Sequence, residues 1–253
     1  MTTAATEKTV LILGAASAIA EAVARLFAAE HSRIVLVGRQ RDRLDAIAAN
    51  LTLLGATSVD VETLDLVAEL DHGATFARMA QRLGDHVDYM LLAYGYLGDQ
   101  NKAVQESREA LRIVEVNFDS AMHWMLAARA QLLRQRRGSL VVFGSVAGDR
   151  GRRANYLYGA AKAGIAALAE GMAHEFADTG PRVIVVKIGP TDTPMTAAFE
   201  KKGLLWAQAG SVAAIIRRAA DGSQPVVYAP RFWRWIMLVI RFIPAAIFNR
   251  MSI

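Results

Sequence analysis

The feature that most constrains this chain is a series of short, uninterrupted apolar runs, each followed by a stretch with helical periodicity. Val10-Leu11-Ile12-Leu13 stops at Gly14, and Ser17 to Ala29 then carries apolar residues at helical spacing. Arg33 to Val37 precedes the charged helical pattern of Asp42 to Leu54, and Val59 to Leu64 reads as a third strand. Val87 to Ala93, Leu140 to Phe143, Arg182 to Ile188 and Pro225 to Tyr228 complete the set, with helical patterns between them. A strand that is apolar at nearly every position is buried on both faces, and strands that alternate with helices pair in parallel through helical crossovers. The pattern predicts an α/β chain with one doubly wound parallel sheet and helices on both faces. A length of 253 residues suits one such domain better than two. It is expected to occupy residues 1–230, with 231–253 as a tail different in kind.

The first strand runs into Gly14-Ala15-Ala16-Ser17-Ala18-Ile19-Ala20 and then a helix. A tight turn into a helix N-terminus presents free backbone N–H groups and the positive end of the helix dipole, which suits a pyrophosphate. Such a turn with one glycine also occurs as plain structure. The end of the second strand gives it weight. Where a ribose-binding Asp or Glu is expected, the chain has Gly38-Arg39, with Arg41 and Arg43 close by. A carboxylate there would repel a 2′-phosphate and a guanidinium would bind it, so Arg39 is the candidate NADP(H) selector. A solvated arginine at a helix start is the alternative. Asp65-Leu66, after the third strand, could meet the adenine amine, or Asp65 could cap the next helix. These features give the sheet a Rossmann-type reading.

Tyr158 and Lys162 stand four residues apart on one face of a helix. Tyrosine is a poor acid at neutral pH, and an ammonium one turn away is expected to lower its pKa into working range. Ser145 ends the preceding strand, 13 residues before Tyr158. Tyr156 lacks the partnering lysine.

With these residues in place the chain resembles the short-chain dehydrogenase/reductase family, in order, to about residue 230. The resemblance implies an active site of Asn117, Ser145, Tyr158 and Lys162. Tyr158 would donate a proton to the substrate carbonyl oxygen as hydride arrives from the nicotinamide. Lys162 would bind the nicotinamide ribose and tune Tyr158, and Ser145 would orient the carbonyl. Asn117 would hold a water that reconnects Lys162 to solvent, or would simply brace a helix backbone. The cofactor contacts implied are Gly14, Ala16, Ser17, Ala18, Ile19, Arg39, Asp65, Leu66, Ala93, Gly95, Tyr158, Lys162, Ile188 and Thr193. Three departures stand out. Ala18 and Ala20 replace two glycines of the turn, Leu92-Ala93-Tyr94-Gly95 keeps only the glycine of an Asn-Asn-Ala-Gly segment, and Ile188 replaces a proline.

Composition excludes other classes. The absence of cysteine removes disulfides, thiol catalysis and thiolate zinc sites. The five histidines have no ligand-like spacing, so no metal is expected. Four arginines and no acidic residue follow Asp221. This is a local basic tail rather than a nucleic-acid footprint. On a helix, Arg231, Arg234 and Arg241 fall within roughly an 80° arc, with Trp233, Ile236, Met237, Val239, Ile240 and Ile243 around the rest. The run is too short to span a bilayer and fits an interfacial helix through 231–250, or a contact with another subunit. The opening residues carry no apolar export segment, so a cytoplasmic location is expected, possible at the inner face of the membrane.

The tail also resembles that of a family branch reducing a polyprenyl-phosphoryl 2-keto-pentose. The expected activity is therefore NADP(H)-dependent interconversion of a ketone and a secondary alcohol on a lipid-linked or long-chain substrate. A soluble carbonyl substrate, with the tail used for oligomerisation, is the alternative. A non-catalytic NADP(H)-binding protein is a third reading, against which the full Asn-Ser-Tyr-Lys set argues. The apolar Met195, Phe199, Leu204, Leu205 and Trp206 would suit a substrate cover or an ordinary lid. The small residues Ala160, Ala161, Ala163, Gly164, Ala166 and Ala167 predict a helix that pairs subunits into a homodimer or homotetramer.

Overall fold

A computed structural model describes residues 7–199 and 203–251. Seven strands form one parallel sheet: β1 (Thr9–Leu13), β2 (Arg33–Gly38), β3 (Ser58–Thr63), β4 (Tyr89–Leu92), β5 (Ser139–Ser145), β6 (Arg182–Ile188) and β9 (Val226–Ala229), in the order β3-β2-β1-β4-β5-β6-β9. β7 (Thr191–Asp192) and β8 (Ala207–Gln208) make a separate parallel pair that spacing alone did not reveal. The order reverses between β1 and β4, which opens a crevice at the carboxyl ends of the strands.

Alternate residues of each strand feed two cores. On one face, Val10 and Ile12 of β1 pack with α1 (Ala18–Ala29), α2 (Arg41–Leu53) and α8 (Ala209–Asp221). On the other, Leu11 and Leu13 pack with α3 (His72–Gln81), α6 (Ser120–Gln135) and α7 (Tyr156–Glu175). Both faces of the central strands are thus removed from water, which is why they read as apolar without alternation. β3 differs: it is an edge strand, partly exposed, and its polar residues alternate.

Between β4 and α6 the chain forms α4 (Gln100–Ala103), α5 (Ser107–Val114) and a π-helical turn over Glu115–Asp119. After β9 come α9 (Trp233–Phe242) and α10 (Ala245–Phe248). The apolar residues of α9 divide into two faces. Trp233 and Met237 are buried and join Val146, with Tyr228, Ile236 and Ile240 packed around them. Trp235, Val239 and Phe242 are 65%, 66% and 79% exposed. Val239 therefore faces outward, while Ile236 and Ile240 face the domain. No helix of the described residues is long and apolar enough to cross a membrane.

Candidate active site

The turn after β1 is built around Gly14. Its φ is +87°, and a Cβ there would lie 2.7 Å from Tyr94 Cβ and 2.9 Å from Tyr94 N, so only glycine fits. Ser17 caps α1 by accepting the Ala20 N–H at 3.2 Å. Ala16, Ser17, Ala18 and Ile19 are partly exposed at this helix start. Ala20 is fully buried in the helix–sheet core, so the methyl in place of a glycine is absorbed by packing. Gly14 and Ala15 donate their N–H groups to Val37 O at 2.9 and 3.0 Å, tying this turn to the end of β2.

Arg39 follows β2 and is exposed. Arg41 is paired with Asp45 at 2.8 Å and Arg43 with Glu21 at 2.7 Å. Arg39 has no such partner among the described residues and is the free cation at this end of the crevice. Asp65 is exposed, and its Oδ1 accepts the Val67 N–H at 3.1 Å, a local turn bond of the capping kind. Leu66 is buried, and its carbonyl accepts Ser120 Oγ at 2.8 Å and Trp124 Nε1 at 2.9 Å.

Those bonds also account for Tyr94. Its hydroxyl meets Ser120 Oγ at 2.7 Å, inside the α6 side of the core, and burial pushes its pKa far above the ordinary range. Its side chain is structural. Ala93 is buried, with its N–H on Leu13 O at 2.8 Å. A Cβ on Gly95 would lie 2.9 Å from Asn117 Oδ1 and 3.3 Å from Lys162 Nζ, so this glycine lets the two side chains reach the same place.

Asn117 sits in the π turn, where its amide is heavily committed. Nδ2 donates to Tyr96 O at 2.5 Å and Ile113 O at 2.8 Å, and Oδ1 accepts Tyr96 N–H at 3.1 Å. The bracing role is therefore real, and Oδ1 still faces Lys162 across Gly95.

Ser145 ends β5 opposite Ile188 of β6 and accepts the Ala147 N–H at 3.1 Å. Ser145 also acts on the Tyr158 hydroxyl, favouring its ionised form. Burial pushes Tyr158 up to about 12, and Ser145 opposes this. Lys162 is buried, and desolvation holds its ammonium down to about 8. Its Nζ donates to Phe143 O at 3.0 Å and stands 5.8 Å from the Tyr158 ring centroid. This corrects the expectation that the lysine acidifies the tyrosine: within the protein alone, desolvation outweighs any pull from an ammonium bonded to the β5 backbone. Ile188 and Thr193 close the same edge, where the Thr193 N–H meets Thr196 Oγ1 at 3.2 Å and Gly189 N–H bonds Ala229 O at 2.9 Å.

Several residues beside the site escaped sequence reading. The Asp149 side chain is 1% exposed and bonds both Lys187 Nζ at 2.7 Å and Tyr228 OH at 2.8 Å, pinning the loop after Ser145 to β6 and β9. Arg150 donates to the carbonyls of Ile240, Arg241 and Ile243 at the end of α9 and lies over the Phe248 ring. Arg152 touches Met237 Sδ, and Arg153 donates to Met251 O at 2.6 Å. A charged loop next to a basic tail gives no sequence signal of contact, because like charges suggest separation. Here backbone carbonyls, a thioether and an aromatic face serve as the partners.

A tyrosine with a buried lysine one turn on, a serine at the facing strand end and a glycine turn at the sheet's switch point are machinery for proton transfer beside a dinucleotide. The class so defined is the nicotinamide-dependent oxidoreductases. A family model described as short chain dehydrogenase matches residues 8–203. The chain is 34% identical over 247 residues, 97% of its length and 96% of the relative's, to an uncharacterized oxidoreductase in the mprA 5′ region of Streptomyces coelicolor. An uncharacterized oxidoreductase of Mycobacterium tuberculosis is 34% identical over 242 residues, 96% of each chain. A short-chain dehydrogenase from Sphingobium yanoikuyae, solved in complex with NADPH, superposes with a TM-score of 0.79 at 25% identity, covering 94% of this chain and 97% of that one. The chain belongs to the short-chain dehydrogenase/reductase family. It is an oxidoreductase that acts on CH–OH groups with a nicotinamide cofactor.

Proposed function

We propose that this enzyme is an NADP(H)-dependent reductase that interconverts a ketone and a secondary alcohol on a lipid-linked or long-chain substrate, such as a polyprenyl-phosphoryl keto-sugar. The observation that carries the reaction type is the buried Lys162, whose Nζ bonds the end of β5 just before Ser145 and stands 5.8 Å from the Tyr158 ring centroid. The crevice fits the cofactor: Gly14 leaves no room for a Cβ, the start of α1 is open beside it, and Arg39 is uncommitted where a 2′-phosphate would lie. The relative solved with NADPH supports the same choice.

Gly14 and the first turn of α1, Ala16 to Ile19, would hold the pyrophosphate, and Arg39 the 2′-phosphate. Asp65, Leu66 and Ala93 would border the adenine side, with Gly95, Ile188 and Thr193 on the nicotinamide side. Bound there, NADPH supplies a hydride for the carbonyl carbon. Ser145 Oγ holds the carbonyl oxygen, and Tyr158 Oη gives it the proton. Lys162 stays charged below about pH 8 and sits where Asn117 Oδ1 and Gly95 leave a path for replacing that proton. Proton transfer by a positioned acid contributes about 10²–10⁴-fold.

The lipid reading is supported by α9. Trp235, Leu238, Val239 and Phe242 are exposed beside Arg231, Arg234 and Arg241, an apolar face with a cationic rim and no nearby acid in sequence. Exposed Met195, Phe199, Leu204 and Leu205 add apolar surface between β7 and β8. In this reading the enzyme works in the cytoplasm at the inner membrane face. Subunits would pair through the outer side of α7. Ala160 and Ala167 are exposed there, whereas Ala161 and Ala166 lie in the core and Gly164 faces Phe118.

Flotation with anionic liposomes tests the surface. The chain is expected to float, and a Trp235→Ser, Val239→Ser, Phe242→Ser variant, altered only at exposed positions, is expected to stay in solution. Equal behaviour of the two would remove the membrane reading and move soluble ketones to the front.

A further inference from the structure

Among the described residues, six buried side-chain polar atoms find no hydrogen-bond partner: Ser32 Oγ, His72 Nε2, Gln100 Nε2, Arg152 Nε, Asn155 Oδ1 and Trp233 Nε1. Buried polar atoms are normally satisfied, so each orphan needs a reason. Four of them are linked around the start of α7, next to Tyr158. Gln100 Oε1 accepts the Leu157 N–H at 3.1 Å, and Asn155 N–H bonds Arg152 O at 3.2 Å. Arg152 Nη2 lies 3.3 Å from Met237 Sδ, and Met237 packs with Trp233. Trp233 in turn lies against Gly189, where a Cβ would overlap the indole. Three of the four orphans are donors, so this wall of the site suits an oxygen-rich ligand.

Arg152 is the unusual member. Its neighbours Arg150 and Arg153 use their donors on tail carbonyls. Among the described residues the Arg152 side chain has only a thioether as a hydrogen-bond partner, and no ion pair. Burial acts against its charge, opposed only by the field of Asp149. A guanidinium keeps its proton, so a poorly partnered one costs stability unless an anion completes it. Its place suits one. It stands six residues before Tyr158 in sequence and touches the domain-facing side of α9 through Met237.

We propose that Arg152 binds a phosphoryl oxyanion of the substrate, lying between a carbonyl held at Tyr158 and an apolar chain carried along α9. The proposal rests on the lipid-linked reading above, and it deepens that reading by assigning the group that joins the two ends. Arg152 is a specificity-determining residue and takes no part in the proton chemistry.

The test is calorimetric binding to the NADP⁺-saturated protein, so that Arg39 is already engaged. The probes are octyl phosphate, octanol and glycerol 3-phosphate. Octyl phosphate is expected to bind about tenfold or more tightly than octanol, the scale of a charge-assisted pair. Arg152→Met is expected to erase that difference while still binding NADPH, and Arg152→Lys to keep part of it. Equal binding of octyl phosphate and octanol to the wild type, or a full preference surviving in Arg152→Met, would overturn the assignment. If the Met variant does not fold, equal binding of the two probes by the wild type still overturns the assignment, and Arg152→Lys carries the assignment to this residue. Arg152-dependent binding of glycerol 3-phosphate as tight as that of octyl phosphate would keep Arg152 and reject the lipid chain. Octanol binding as tightly as octyl phosphate would do the reverse.

Discussion

Desolvation drives Tyr158 and the buried Lys162 apart: the phenol goes up to about 12, the ammonium down to about 8. Each neutral form is favoured for the same reason. Tyr158 is thus protonated and able to donate across the neutral range, and Lys162 is the group that titrates near it. Reduction is expected to be level below about pH 8 and to fall as Lys162 loses its proton above it. A rate profile flat to pH 10 would contradict this. The stability signs also follow. Lys162 binds its proton less tightly folded than unfolded, so its contribution rises with pH from about 8 toward its ordinary 10.5. Tyr158 acts oppositely, from its ordinary 10.0 to about 12. Arg39 is a simpler case. Arg39→Ala is expected to weaken NADPH binding by about 10–100-fold and NADH binding little, since one charged hydrogen-bonding site is lost. Equal losses, measured by cofactor fluorescence titration, would remove it as the selector.

At the scale of elements, the loop between β5 and α7 does the most positioning. Asp149 holds it to β6 through Lys187 and to β9 through Tyr228. Asp149→Ala leaves Lys187 mostly buried without its close partner, which is expected to cost about 3–5 kcal/mol in chemical denaturation. NADPH turnover should fall with it, and an unchanged denaturation midpoint would show the pair to be dispensable. This network was not legible in the sequence, because Asp149, Lys187 and Tyr228 lie on three separate segments with no common spacing. The strands were legible because burial on both faces leaves an unbroken apolar signature in β1, β2 and β6. The Ser145–Tyr158–Lys162 set was legible for a related reason: a strand end and one helical turn fix its spacing. Tyr94 read as an anomaly beside the cofactor, and only its bond to Ser120 shows it to be core structure. The two faces of α9 were not separable in sequence: Trp233 and Met237, grouped there with Val239, are buried on the domain while Val239 is exposed, since an apolar residue reads alike whether it meets protein or solvent.

Across the whole molecule, the carboxyl edge of the sheet lies between the crevice at Gly14 and the docked tail. Trp233 and Met237 bury one side of α9 on Val146, directly after Ser145, so the tail forms part of the wall of the site. Trp233→Ala is expected to lower stability by about 3–5 kcal/mol, as for other buried large-to-small changes. A loss under 1 kcal/mol would mean that α9 leaves the domain in solution. The outer face of α9, with Trp235, Val239 and Phe242, stays exposed. The central claim, carbonyl reduction by Tyr158, is tested most directly by NADPH oxidation with a polyprenyl-phosphoryl keto-sugar, wild type against Tyr158→Phe. Turnover is expected to fall by about 10²-fold or more in the variant with NADPH affinity intact. Undiminished turnover in Tyr158→Phe would contradict the mechanism.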